Sequence, residues 1–100
     1  MLPLAARDAY EEILLHINKQ GHSYPDWYCD IASDWVSRLL REHKVPKEGH
    51  PYIARQCYTV DDARAVKNAL VELGCDSAPG GGYTTSVYVY AYLKGTMTSP

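Results

Sequence analysis

The stretch from Tyr83 to Lys94 constrains the fold most, because from Ser86 onwards aliphatic residues alternate strictly with polar or tyrosine residues. Neighbouring side chains of a β-strand point to opposite faces of the sheet. One face of this strand is therefore aliphatic: Val87, Val89, Ala91 and Leu93. The other is polar and aromatic: Thr84, Ser86, Tyr88, Tyr90, Tyr92 and Lys94. Branched aliphatic side chains are the more fully buried type, so we predict that the aliphatic face closes the core.

Three helices are predicted from apolar residues that recur at intervals of three and four. The first covers residues 3–20 and ends before Gly21. The second follows Ser23, which with Asp26 has the spacing of a helix cap, and runs to about His43. The short connection between the first two helices predicts an N-terminal helical hairpin. The third follows Thr59, which with Asp62 has the spacing of a helix cap, and ends at Gly74.

Two further strands are predicted, Tyr52–Tyr58 and a short one at Cys75–Ala78. The sequence thus predicts a two-layer α+β domain in the order α-α-β-α-β-β, with the helices packed on a mostly antiparallel three-stranded sheet. The tyrosine strand is expected in the centre of this sheet. We expect residues 1–100 to form a single domain with a flexible tail at about residues 95–100. The tyrosine face would be wet or covered by something outside the chain.

The charge balance argues against a duplex nucleic-acid binder, which usually carries a basic excess. This chain has 10 Lys and Arg against 12 Asp and Glu, a net charge of −2. No apolar run reaches the roughly 18 residues that a membrane span needs, so no membrane partner is expected. Cys29, Cys57 and Cys75 contain no CxxC pair, which is typical of reduced, buried thiols in a cytoplasmic protein.

The residues that could support catalysis form no known site motif, and an enzyme is not expected. The glycine run 80–82 precedes a strand, whereas a phosphate-binding loop leads into a helix. The four histidines and three cysteines lack the short paired spacing of zinc ligands, so neither metal nor cofactor is expected. Any cysteine could approach a histidine in space, which leaves a small Cys/His enzyme as the least favoured hypothesis.

Two features are candidate binding surfaces. The first is the tyrosine ladder Tyr88, Tyr90 and Tyr92, widened by Tyr52 and Tyr58 if their strand is adjacent. The second is an acidic line on the predicted second helix, at intervals of four: Asp26, Asp30 and Asp34. A plain solvated helix face explains the acidic line as well, because a helix N-terminus favours acidic residues.

The leading hypothesis is a small non-enzymatic inhibitor or adaptor that binds a protein partner through one or both surfaces. By size and charge alone it is analogous to viral anti-CRISPR and anti-restriction proteins, which occupy nucleic-acid-binding grooves. One alternative is a single-stranded nucleic-acid-binding module that stacks bases on the tyrosines. Another is a homodimer in which two tyrosine faces meet.

Overall fold

A computed structural model describes residues 1–79 and 84–99. The glycine run 80–82 and the predicted strand start at Tyr83 lie outside the described residues. The described helices and strands, in chain order, are α1 (Ala6–Lys19), β1 (Trp27–Ala32), α2 (Trp35–Ser37), β2 (Tyr52–Gln56), α3 (Val60–Leu73) and β3 (Tyr88–Leu93). A 3₁₀ turn at Tyr24–Asp26 precedes β1, and a π-helical turn at Arg38–Glu42 continues α2. The predicted α+β class, with helices on a three-stranded antiparallel sheet, is confirmed.

The strands are arranged in the order β1-β3-β2, and both pairings are antiparallel. The central position of the tyrosine strand is therefore confirmed. The third strand, however, is β1 and not the predicted Cys75–Ala78 segment. That segment contributes only an isolated parallel bridge between Tyr28 and Asp76, beside the outer edge of β1.

The prediction of a second helix from the Ser23–Asp26 cap to about His43 was wrong over its first half, where residues Trp27–Ala32 form β1. An interval of four places two residues on one face of a helix and equally on one face of a strand. The pair Trp27 and Ile31 therefore fits both structures. All six residues of β1 are buried, which suits a strand covered on both faces. The predicted cap of Ser23 and Asp26 does form, but on the 3₁₀ turn.

The helix layer consists of α1 and α3, which pack on the aliphatic face of the sheet. Val89 and Ala91 are fully buried there, so the predicted inward orientation of the aliphatic face is confirmed. The helices and the edge strands contribute most of the other residues of this core, among them Ala9, Ile13, Ile17, Trp27, Ile31, Ile53, Val66 and Leu70. The Thr59 hydroxyl caps α3 by accepting from the Asp62 amide, and Gly74 ends it at φ 119°.

The tyrosine face is covered by the chain itself, which the sequence did not predict. The segment of residues 35–45 crosses this face, and Leu39 and Val45 pack against Tyr90 and Tyr92. The expectation of a wet or externally covered face was therefore wrong. The predicted flexible tail is also anchored, because the Ser99 amide donates a hydrogen bond of 2.7 Å to the His43 carbonyl. Among the described helices, none has the length and apolarity that a bilayer crossing requires.

Candidate functional site

The buried tyrosines of β3 surround one imidazole. The Nε2 atom of His43 lies 2.8 Å from the Tyr90 hydroxyl, and its Nδ1 atom lies 3.2 Å from the Tyr92 hydroxyl. Nδ1 also lies 2.9 Å from the carbonyl oxygen of Ser99. A carbonyl only accepts, so Nδ1 carries a proton, and in the neutral imidazole Nε2 then accepts the hydroxyl proton of Tyr90. The imidazole is thereby fixed in a single neutral tautomer.

The titratable groups of this cluster are held uncharged. Burial lowers the pKa of His43, because an imidazolium loses its hydration inside the protein. Burial likewise raises the pKa values of Tyr90 and Tyr92, and raises that of Tyr28 to about 12. Phenol and neutral imidazole are therefore the forms present at neutral pH.

A buried carboxylate adjoins this cluster on β1, directly opposite Tyr90. Asp30 lies 3.0 Å from the Lys67 ammonium and 3.6 Å from the Arg38 guanidinium. It also accepts hydrogen bonds from the Tyr28 hydroxyl at 3.4 Å and from the Ile31 amide at 2.8 Å. Its partners come from β1, α3 and the turn after α2, so one side chain connects both layers on the sheet.

These residue types resemble an acid–base catalytic set, but their surroundings are those of a core. Tyr90 and Tyr92 are 0% exposed and His43 is 4% exposed, so a substrate cannot reach them in this conformation. Each of the three has hydrogen-bond partners within the chain. Satisfied buried networks fix one packing arrangement. We interpret this network as the anchor that holds residues 35–45 on the sheet.

The predicted acidic line does not exist as a surface, because its three members lie in different structures. Asp26 bonds to Ser23 before β1, Asp30 is buried, and Asp34 caps α2 by accepting from the Ser37 amide. The Ser37 amide accordingly lowers the pKa of Asp34. The prediction depended on a helix through these residues, and β1 replaces that helix.

The predicted tyrosine ladder is divided between the core and the surface. Tyr90 and Tyr92 are in the core, and Tyr88 is half-buried. Tyr52 and Tyr58 are 38% and 64% exposed. Only these last two keep the exposure that a binding role needs.

The three cysteines are free and buried, as predicted. A hydrogen bond with Cys75, together with burial, raises the pKa of Cys29, and burial raises that of Cys57 to about 11. Cys29 and Cys57 are therefore poor nucleophiles, because the thiolate is the reactive form. The hydrogen bond with Cys29 lowers the pKa of Cys75 although burial opposes this shift. Within residues 1–79 and 84–99, no three His, Cys, Asp or Glu side chains are grouped as metal ligands.

The sequence did not reveal an apolar cavity at the surface, next to β2. The rings of Trp35 and Tyr52 lie 6.2 Å apart at its wall. The cavity measures about 120 Å³, and seven residues line it: Trp35, Val36, Leu39, Leu40, Val45, Lys47 and Tyr52. The position of Trp35 beside Tyr52 depends on the path of the chain across the sheet, which no local spacing encodes.

The described fold and site define a small α+β domain with a tyrosine–histidine core and an aromatic surface cavity. No family model, curated protein or solved structure matches this chain. Its function is therefore argued from its own residues.

Acid should destabilise this domain through two histidines. Burial lowers the pKa of His43, and burial together with the charges of Arg55 and Lys19 lowers that of His16. Below the unfolded value of about 6.5 the unfolded chain binds more protons, so stability falls as pH falls from there through the folded pKa values. We expect urea unfolding between pH 7.5 and 5 to show this slope, reduced in His43→Gln and further in His16→Gln/His43→Gln. A slope that is unchanged in the double variant would contradict it.

Proposed function

We propose that this chain is a small non-enzymatic binding protein, an inhibitor or adaptor, that recognises a protein partner at the Trp35–Tyr52 cavity. The observation that carries the proposal is this pair of aromatic rings, placed at the surface around an open apolar cavity. The binding surface is thus the Trp35–Tyr52 cavity, in place of the tyrosine face and the acidic line predicted from the sequence. Three buried free thiols support a cytoplasmic location.

The size and composition of the cavity favour a protein side chain as its occupant. Small-molecule sites usually enclose about 300–1,000 Å³. A cavity of about 120 Å³ accommodates a single apolar side chain. Binding energy at protein interfaces concentrates in pockets that hold such anchors, and Trp and Tyr are enriched there. Val36, 45% exposed at the rim, adds apolar area that a partner would cover.

The alternatives have less structural support. Bases cannot stack on Tyr90 and Tyr92, which are fully buried, so the single-stranded nucleic-acid hypothesis lacks its platform. The same burial separates the His43 cluster from any substrate. A dimer of two tyrosine faces would require residues 35–45 to leave the sheet.

The test uses a peptide ligand selected by phage display against the whole protein. We expect Tyr52→Ala and Val36→Asp to weaken binding of that peptide at least tenfold, because both change the cavity wall. Tyr58→Ala is the matched control: it removes an exposed tyrosine that does not line the cavity. Fluorescence anisotropy measures affinity, and thermal unfolding checks that each variant folds. Equal affinity of Tyr52→Ala and the unaltered protein would refute the proposal.

A further inference from the structure

The segment that forms most of the Trp35–Tyr52 cavity is basic, although the chain as a whole is not. Residues 35–47 include six of the seven residues that line the cavity, and they hold four Lys and Arg against one Glu. Glu48 follows directly and offsets one positive charge, which leaves a basic excess. The whole chain, by contrast, has a net charge of −2. The positive charge is therefore local to the cavity.

Three cations of this segment are available to a partner. Arg41, Lys44 and Lys47 are exposed, and among the described residues none of the three forms an ion pair. The single Glu of the segment does not neutralise them, because Glu42 already pairs with Arg38 at 2.9 Å. A partner that approaches this surface therefore meets cations that have no carboxylate to give up.

Each of the three cations adjoins the wall of the cavity. Lys47 is itself a lining residue. Arg41 follows Leu40 in the chain and Lys44 precedes Val45, and both of these apolar residues line the cavity. An apolar recess and a group of unpaired cations thus belong to one surface.

This combination favours a partner that is both apolar and anionic. A buried apolar anchor supplies binding energy, and complementary charge selects the partner and speeds the encounter. A protein segment in which Asp or Glu residues flank an apolar residue has this chemistry. Nucleic acid fits less well, because the rings of Trp35 and Tyr52 lie 6.2 Å apart, within the range of about 4.5–7 Å for directly paired rings. A base therefore cannot enter between them.

We propose that the Trp35–Tyr52 cavity, together with Arg41, Lys44 and Lys47, binds an acidic–apolar segment of a partner protein. This inference rests on the proposed function and specifies the chemistry of the partner. One apolar side chain of the segment enters the cavity, and the Asp or Glu residues next to it pair with the three cations. These charges lie at an exposed surface, so salt screens the attraction.

The test uses the peptides that phage display selects against the whole protein. We expect Asp and Glu to be enriched next to an apolar residue in the selected sequences. Replacing the Asp and Glu of one such peptide by Asn and Gln should weaken its binding at least tenfold. Lys47→Glu should weaken binding at least fivefold. The matched control is Lys19→Glu, the same change at an exposed, unpaired cation on α1 that does not line the cavity, and it should weaken binding less than twofold.

Other results would overturn the inference. Selected peptides without acidic enrichment, or equal losses for Lys47→Glu and Lys19→Glu, would show that the cations do not choose the partner. A single-stranded oligonucleotide that displaces the peptide would assign the cations to nucleic acid instead. Self-association in sedimentation that is lost in Lys47→Glu would assign them to a second copy of the chain.

The proposed function has its own outcome, the response of the selected peptides to Tyr52→Ala. If binding depends on Tyr52 while the peptides show no acidic enrichment, the cavity remains a binding site and only the anionic partner is wrong. If acidic peptides bind and respond to Lys47→Glu but not to Tyr52→Ala, the cavity is not their anchor and the proposed function is wrong.

Discussion

Replacing Asp30 by alanine should lower the free energy of unfolding by about 3–5 kcal/mol, because it removes the carboxylate that lies 3.0 Å from the buried ammonium of Lys67. The Lys67 side chain is 7% exposed and the Asp30 side chain 10%. A charge at such depth cannot recover full hydration after its partner is removed. Urea unfolding followed by circular dichroism measures the loss.

The matched control is Asp61→Ala on α3, whose side chain is 90% exposed and pairs with Arg64 at 3.5 Å. Surface pairs contribute about 0–1 kcal/mol, so this variant should lose no more than that. The double variant Asp30→Leu/Lys67→Met removes both charges and should be more stable than Asp30→Ala alone. A loss below about 1 kcal/mol for Asp30→Ala would mean that the pair is solvated.

Replacing Leu39 by alanine should cost about 2–5 kcal/mol, the range for truncation of a buried leucine. Leu39 is 1% exposed and packs in the cluster that contains Tyr90 and Tyr92. The substitution should loosen residues 35–45 from the sheet. Near-ultraviolet circular dichroism should then lose part of the tyrosine signal, because those rings gain mobility.

Leu2→Ala provides the comparison for Leu39→Ala, since Leu2 is 85% exposed and the chemical change is identical. Its unfolding midpoint in urea should match that of the unaltered protein. If Leu39→Ala also left the unfolding midpoint unchanged, residues 35–45 would not cover the tyrosine face.

The sequence predicted the parts of the fold that local periodicity encodes. The α1 and α3 helices show clear amphipathic spacing, and β3 alternates too regularly to be read as a helix. The short α2 and the strand β1 could not be separated in this way, because Trp27 and Ile31 satisfy both periods. Burial of both faces of this segment favours a strand over a helix, and that burial depends on which other elements pack around the segment.

The candidate site was less accessible to sequence reasoning, because its contacts join distant positions. Local spacing does not show that His43 and Lys67 are buried, because a histidine at the end of a predicted helix and a lysine on α3 are both compatible with a solvated face. One clue was present in the composition, which has nine Tyr and no Phe. Buried tyrosine hydroxyls need partners, so tyrosines used as core residues imply buried polar groups such as His43 and Asp30. The cavity beside Tyr52 left no comparable clue.

The strand order also determines when the sheet can form during synthesis of the chain. Among the described strands, β1 and β2 each pair with β3, and residues 33–87 separate the end of β1 from the start of β3. At about 5–20 residues per second, a ribosome needs roughly 3–12 s to complete β3 after β1. During that interval β1 lacks its native neighbour β3, and so does β2 from the moment it is synthesised. A nascent chain of this protein therefore exposes two unpaired strands to chaperones before its sheet can form.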